Sequence, residues 1–404
     1  LNSDIDALAR PLSDWVRTSM RAENVALDGA NAVRVANTPP GKIATLILPA
    51  DASWGAALAP AETVPPPSAA GVDEACIRAA ANVLERGEPT VLLLNGSALH
   101  EPALLAAERI ARKTGARLFM DTFVGRVERG AGRPELARLS YFAEAALNDL
   151  QGVRHILLVG TKPPVAFFAY PDKPSSLVPN DCVVHRLAGP GDDCLAALEQ
   201  LADVLSAPSE GAQLRGLMRP ELSQGPLSSK AIGIAIGALM PEHAIVVDEG
   251  NTEGFATWFA TAGAPRHDWL HNTGGSIGLG LPVAVGAAVA CPDRKVICLE
   301  GDGSAMYTIQ ALWTMAREKL DVTTIVFANR SYRILNIELA RVGAGAAGPR
   351  AKDMLDISRP ELDFVALAQS MGVAATRPAS AEAFALDFGR AMREPGPHLI
   401  ECRV

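Results

Sequence analysis

The chain has 404 residues, 49% hydrophobic and 20% charged, with 45 acidic side chains against 37 Lys and Arg and a formal net charge of −8. Such a length and apolar content suit an enzyme of two to three domains with ample material for cores. The mild acidity argues against nucleic acid as a partner, and no apolar run is long enough to span a bilayer. The opening LNSDIDALAR lacks a basic-then-apolar leader pattern, which makes the cytoplasm the expected location. Residues 3–54 hold a helical stretch followed by the strand pattern KIATLILP and a Pro-Ala-Asp turn. A Pro/Ala-rich linker at residues 59–70 (APAETVPPPSAA) ends this piece. The middle region alternates strand-like and helical patterns, PTVLLLNG, ALLAAERIARKTG, RLFMDT, HILLVGT and CVVHRLA, up to a second linker near residues 207–226. Six cysteines, at 76, 182, 194, 291, 298 and 402, show neither paired metal spacing nor a disulfide framework.

The C-terminal region is the informative one. AIVVDEGNTEG is an apolar strand running into small polar residues, and NTGGSIGLGLPVAVGAAVA is a glycine-dense entry into a small-residue helix. From Lys295 a short apolar run stops at Gly301-Asp302-Gly303, the pattern of a buried strand feeding a tight turn. Ile309, Leu312, Trp313, Ala316 and Leu320 then recur at helical spacing, and residues 322–328 return as a second buried strand ending at Asn329. In a β-α-β unit the crossover is right-handed and the strands are parallel, so both strand ends open onto one edge of the sheet. Asp302 and Asn329 are therefore expected to face one crevice. Glycines at 301 and 303 let backbone N–H groups approach a ligand, and the helix start adds its positive dipole end. A carboxylate, an amide oxygen and a backbone carbonyl are the hard donors that Mg²⁺ shares with phosphate oxygens. Gly-Asp-Gly alone is an ordinary turn; the full element order is what points to a ligand.

These residues resemble the cofactor motif of thiamine-diphosphate-dependent 2-oxo acid decarboxylases and carboligases, which begins Gly-Asp-Gly and ends Asn-Asn. Position by position, the resemblance implies Mg²⁺ bound by the side chains of Asp302 and Asn329 and by the carbonyl of Ser331. It places Gly301, Gly303, Ser304, Ser331 and Tyr332, together with Gly250, Asn251 and Thr252, at thiamine diphosphate. Ala328 replaces the first Asn of the usual pair; the second ligates the metal, so the site should survive. Within Gly275, Ser276 and Ile277, the isoleucine matches the bulky aliphatic that props the cofactor into its bent form.

The implied fold class is α/β with doubly wound parallel sheets. Residues 1–58 match the C-terminal remnant of a pyrimidine-binding domain, 71–206 a Rossmann-like central domain and 226–404 the diphosphate- and Mg²⁺-binding domain. The glutamate that activates the aminopyrimidine belongs to a preceding part that this chain does not contain. Glu23, Glu62 and Glu74 lie outside its motif, so no catalytic side chain is assigned. Some relatives hold FAD in the central domain, but Asn95-Gly96-Ser97 is too thin a pattern to claim one. Because each cofactor of the family lies between two chains, a homodimer or homotetramer is implied. Leu335 stands where some decarboxylases carry a proton-handling Glu, as a substrate-facing group or as plain core. The resemblance is nearest to acetolactate-synthase-like large subunits, with a small 2-oxo acid substrate, pyruvate favoured, and carboligation. The alternatives are a non-ligating decarboxylase of the benzoylformate type and a non-catalytic cofactor-binding subunit.

Overall fold

A computed structural model describes residues 3–343 and 347–404. Its strands in chain order are β1 (Trp15–Thr18), β2 (Ala44–Ile47), β3 (Thr90–Leu94), β4 (Arg117–Met120), β5 (Arg126–Arg129), β6 (Ala137–Arg138), β7 (His155–Val159), β8 (Val183–Ala188), β9 (Ala244–Glu249), β10 (His267–His271), β11 (Val296–Gly301), β12 (Val322–Ala328), β13 (Ala374–Thr376) and β14 (His398–Arg403). They form three sheets: β1-β2, the five-stranded β6-β4-β3-β7-β8, and the seven-stranded β13-β14-β12-β11-β9-β10-β5. The five-stranded sheet is parallel throughout. In the seven-stranded sheet only β5 runs antiparallel, against β10.

Both large sheets are buried on both faces, which explains their unbroken apolar runs. Along β3, Leu92 and Leu94 enter one core while Val91 and Leu93 enter another. Along β11, Ile297 and Leu299 join the first of these cores, and Val296 and Cys298 pack on the opposite face. The shared core reaches from Leu84 and Leu92 to Trp269 and Phe388. The two sheets are therefore layers of one packed body.

The expected α/β class with doubly wound parallel sheets is present. One strand crosses the linear division of the sequence: β5 lies inside the middle region yet forms an edge of the C-terminal sheet, pairing Val127 with Trp269. The first segment forms the parallel pair β1-β2 with the helix Ala22–Ala36 and the short helix Ile5–Ala9. Its Leu27, Val33 and Leu48 remain exposed. The expected Pro-Ala-Asp turn is instead the start of a short helix, Ala50–Trp54, with Pro49 as its N-cap.

Candidate functional site

In the seven-stranded sheet the strand order reverses between β9 and β11, since β9 continues to β10 on one side and β11 to β12 on the other. Loops leaving the carboxyl ends of such neighbours diverge and leave a crevice, where open α/β sheets bind ligands. Gly250 follows β9, Asp302 follows β11 and Asn329 follows β12.

Asp302 opens the helix Asp302–Thr308 and is 4% exposed. Its carboxylate accepts the N–H of Arg330 at 2.5 Å and of Gly303 at 2.8 Å. The first contact draws the β12 loop onto the β11 turn, as the β-α-β pattern requires. Burial pushes the Asp302 carboxyl above its ordinary value, against these N–H donors. No Lys, Arg or His pairs with Asp302 among the described residues. Asn329 Oδ1 accepts the Ser331 N–H at 3.0 Å, and Ser331 Oγ donates to the Leu355 carbonyl at 3.2 Å.

The same short helix gathers the other predicted residues. Asn251 Nδ2 donates to Ser304 Oγ at 3.3 Å, and Ser304 Oγ donates to the Gly301 carbonyl at 3.1 Å. Gly250 is buried, and Thr252 continues into the helix Asn251–Ala260. A Cβ on Gly303 would stand 2.6 Å from the Tyr332 ring, so only glycine lets that ring lie against the turn. At the far end, Thr308 Oγ1 donates to the Gly278 carbonyl at 2.9 Å, tying in the turn that carries Gly275, Ser276 and Ile277. Ile277 is 38% exposed. Leu335, on the helix Arg333–Arg341, is 49% exposed, which removes the core reading for it. Trp313 also faces outward, while Leu312 is buried.

Further features were not legible as such. Glu249, whose pairing with Asp248 is dismissed by strand alternation, does point away from it: Glu249 accepts N–H groups of Gly278 and Gly280, whereas Asp248 accepts from Gly250 and Trp269. Glu249 thus clamps the Ile277 turn to the end of β9. Beside it Glu300 is fully buried, and its Oε2 has no partner. Burial first, and then the Glu249 carboxylate, push the Glu300 carboxyl well above its usual range. An acidic residue in an otherwise apolar strand was the available signal. His271 is buried between Trp258 and Trp269, and burial pushes it well below its ordinary value. An aromatic group from the middle region closes one side: Phe167 packs on Phe123, Tyr141 and Phe168, and a Cβ on Gly275 would lie 2.6 Å from its ring.

The donor set fits a hard divalent cation. A buried carboxylate without a cationic partner needs counter-charge, and the Asn329 amide and Ser331 carbonyl are oxygen donors in the adjoining loop.

Comparison with known proteins agrees with this geometry. Residues 248–402 match the model of the thiamine pyrophosphate enzyme C-terminal TPP binding domain. Over its whole length the chain is 53% identical to the "Putative acetolactate synthase large subunit IlvX" of Mycobacterium tuberculosis, covering 78% of that protein. It is 27% identical to the benzoylformate decarboxylase of Pseudomonas aeruginosa, across 99% of this chain and 78% of that one. The solved structure of the thiamine diphosphate-dependent 4-hydroxybenzoylformate decarboxylase of Rhodococcus jostii RHA1 superposes with a TM-score of 0.84 at 27% identity, covering 100% of this chain and 78% of that chain.

Proposed function

The chain belongs to the thiamine pyrophosphate enzyme family, and from that premise we propose that it decarboxylates a small 2-oxo acid, pyruvate favoured, and passes the product to a carbonyl acceptor, using Mg²⁺ with the cofactor. The observation that carries the metal assignment is the buried Asp302 carboxylate, held by β11 against the loop 329–331 without a cationic partner. Asp302, Asn329 and the Ser331 carbonyl would hold Mg²⁺, while Gly303, Ser304 and the loop 250–252 would hold the diphosphate. When bound, thiamine diphosphate supplies the electron sink for cleavage next to the carbonyl.

This chain's residues then bind and orient. Glu249 fixes the turn that presents Ile277, the side chain expected to hold the cofactor bent. Tyr332 packs on Gly303 and fixes the direction of the metal loop. Arg333 pairs with the buried Glu253 at 2.5 Å, anchoring the helix that carries Leu335. At its other end Glu338 accepts the Tyr170 hydroxyl at 2.5 Å, and Arg341 pairs with Glu144 at 2.8 Å. Leu335 offers no proton, which suits an intermediate that survives long enough to meet an acceptor. Beside the turn, Met306, Tyr307, Trp313 and Val289 expose apolar surface, in keeping with a second subunit against this face.

A second reading has its own observation. The Phe167 ring against Gly275 walls the turn with aromatic surface, which favours an aromatic 2-oxo acid and release without ligation. One assay separates the two: the full protein with thiamine diphosphate and Mg²⁺, offered pyruvate and benzoylformate, with CO₂, aldehyde and ligation products measured. Ligation product from pyruvate supports the first reading and aldehyde from benzoylformate the second. No turnover of any 2-oxo acid sinks both.

A further inference from the structure

A second cavity, of about 410 Å³, lies away from these loops, between residues 127–141 and the outer face of the helix Asn251–Ala260. Its volume falls within the range of small-molecule sites. Three guanidinium groups line it, from Arg129, Arg138 and Arg215. Arg215 is neutralised by Glu135 at 2.5 Å. Arg129 and Arg138 have no acidic partner within 4 Å among the described residues. Arg129 lies 3.5 Å over the Trp258 ring and donates to the Trp258 carbonyl at 2.8 Å and to Thr261 Oγ1 at 3.3 Å. Arg138 donates from Nε to the Thr122 carbonyl at 2.9 Å, and its outer guanidinium N–H groups have no acceptor among the described residues. Burial first, and then repulsion from Arg215 and Arg138, push the Arg129 guanidinium well below its ordinary value, with the Asp248 carboxylate opposing the shift.

The other walls set the class of anion. Glu128 is paired with Arg126, Asp149 accepts the Ser140 N–H, and neither carboxylate comes within 4 Å of the Arg129 or Arg138 guanidinium. These carboxylates, with Asp248 near Arg129 and Arg138, oppose a multiply charged ligand. Tyr141, Phe255, Trp258 and Phe259 supply aromatic lining, and a planar guanidinium pairs with a carboxylate through two parallel N–H bonds. We propose that this cavity binds a small organic monocarboxylate with a planar apolar body, its carboxylate on Arg138 and Arg129 and its body among the aromatic rings. The same helix begins at the loop assigned to the diphosphate, so occupancy and cofactor retention share one rigid element.

The test uses 4-bromobenzoate soaked into crystals of the full chain, together with calorimetry of benzoate binding to wild type and to Arg138→Met. The expected result is a bromine signal inside the cavity and at least tenfold weaker binding in Arg138→Met. Phe255→Ala, which alters an exposed ring, carries the same expectation should Arg138→Met fail to fold. Bromine only at the Ile277 turn or nowhere, density without binding in solution, or equal affinity in the variants overturns the proposal. None of these outcomes bears on catalysis.

Discussion

The two large sheets share a topology and differ in what their crevices hold. In the five-stranded sheet the order reverses between β3 and β7, and Asn95-Gly96-Ser97 meets Gly160-Thr161-Lys162 there. Polar groups at that edge satisfy one another: Asn95 Oδ1 accepts the Gly96 N–H at 2.7 Å, and Thr161 Oγ1 donates to Asp121 at 2.9 Å. At the β9/β11 crevice, by contrast, a buried carboxylate has only N–H donors, and a neighbouring buried carboxyl oxygen has no partner. Topology supplies a crevice in both sheets. What distinguishes the β9/β11 crevice is a carboxylate that is buried without a cationic partner among the described residues.

The sharpest way to break this contrast is Asp302→Ala. Loss of a buried charge that pairs with a cation costs about 3–5 kcal/mol, so affinity for thiamine diphosphate with Mg²⁺ should fall by about two to four orders of magnitude by calorimetry. The circular dichroism spectrum should be preserved; unchanged affinity removes Asp302 from the site. Gly160→Ala probes the other crevice. Gly160 has φ +70° and lies against the Asn95 carbonyl, so strain plus overpacking should lower stability by about 2–4 kcal/mol. The measurement is a urea midpoint, with cofactor affinity of the folded protein unaltered. A smaller effect belongs to Glu249→Gln, which weakens the clamp on Gly278 and Gly280. A hydrogen bond to a charged group contributes about 1.5–3 kcal/mol, so cofactor binding should weaken roughly tenfold, and wild-type affinity would show that the turn stands without the clamp.

The remaining prediction concerns pH. Burial lowers His267 in β10 to about 3 from 6.5. A depressed folded value means that the unfolded chain takes up a proton which the native state refuses. Stability from this group is therefore full above about pH 6.5 and lost as pH falls toward 3, at no more than about 1.4 kcal/mol per pH unit. His267→Gln should flatten the dependence of the thermal midpoint on pH between 6 and 4; an identical slope would show that His267 titrates freely.

Much of this was readable from residues. The run 295–329 showed two buried strands joined by a helical crossover, and parallel pairing of β11 with β12 followed from chain geometry alone. Asp302, Gly303, Ser304 and Asn329 could be placed because they are local to those strand ends. The clamp from Glu249 to Gly278 and Gly280 spans about thirty residues and depends on β9 lying beside β11, which no local pattern states. The aromatic wall of Phe167 on Gly275 joins residues more than a hundred apart. Likewise β5 lies in the middle region of the sequence yet completes the C-terminal sheet, because edge pairing is settled by which surface is left open, not by propensity.

By itself the sequence determined the doubly wound class, the cofactor motif and the direction in which its strands deliver Asp302 and Asn329, because hydrophobic period and turn chemistry act over a few residues. Tertiary structure alone decided that Glu300 is buried with its Oε2 unpartnered, that Leu335 faces outward, and that Arg129 and Arg138 share a cavity with no carboxylate within 4 Å of either among the described residues. Burial and charge balance are properties of surfaces brought together from distant parts of the chain, and they exist only once the sheets have packed.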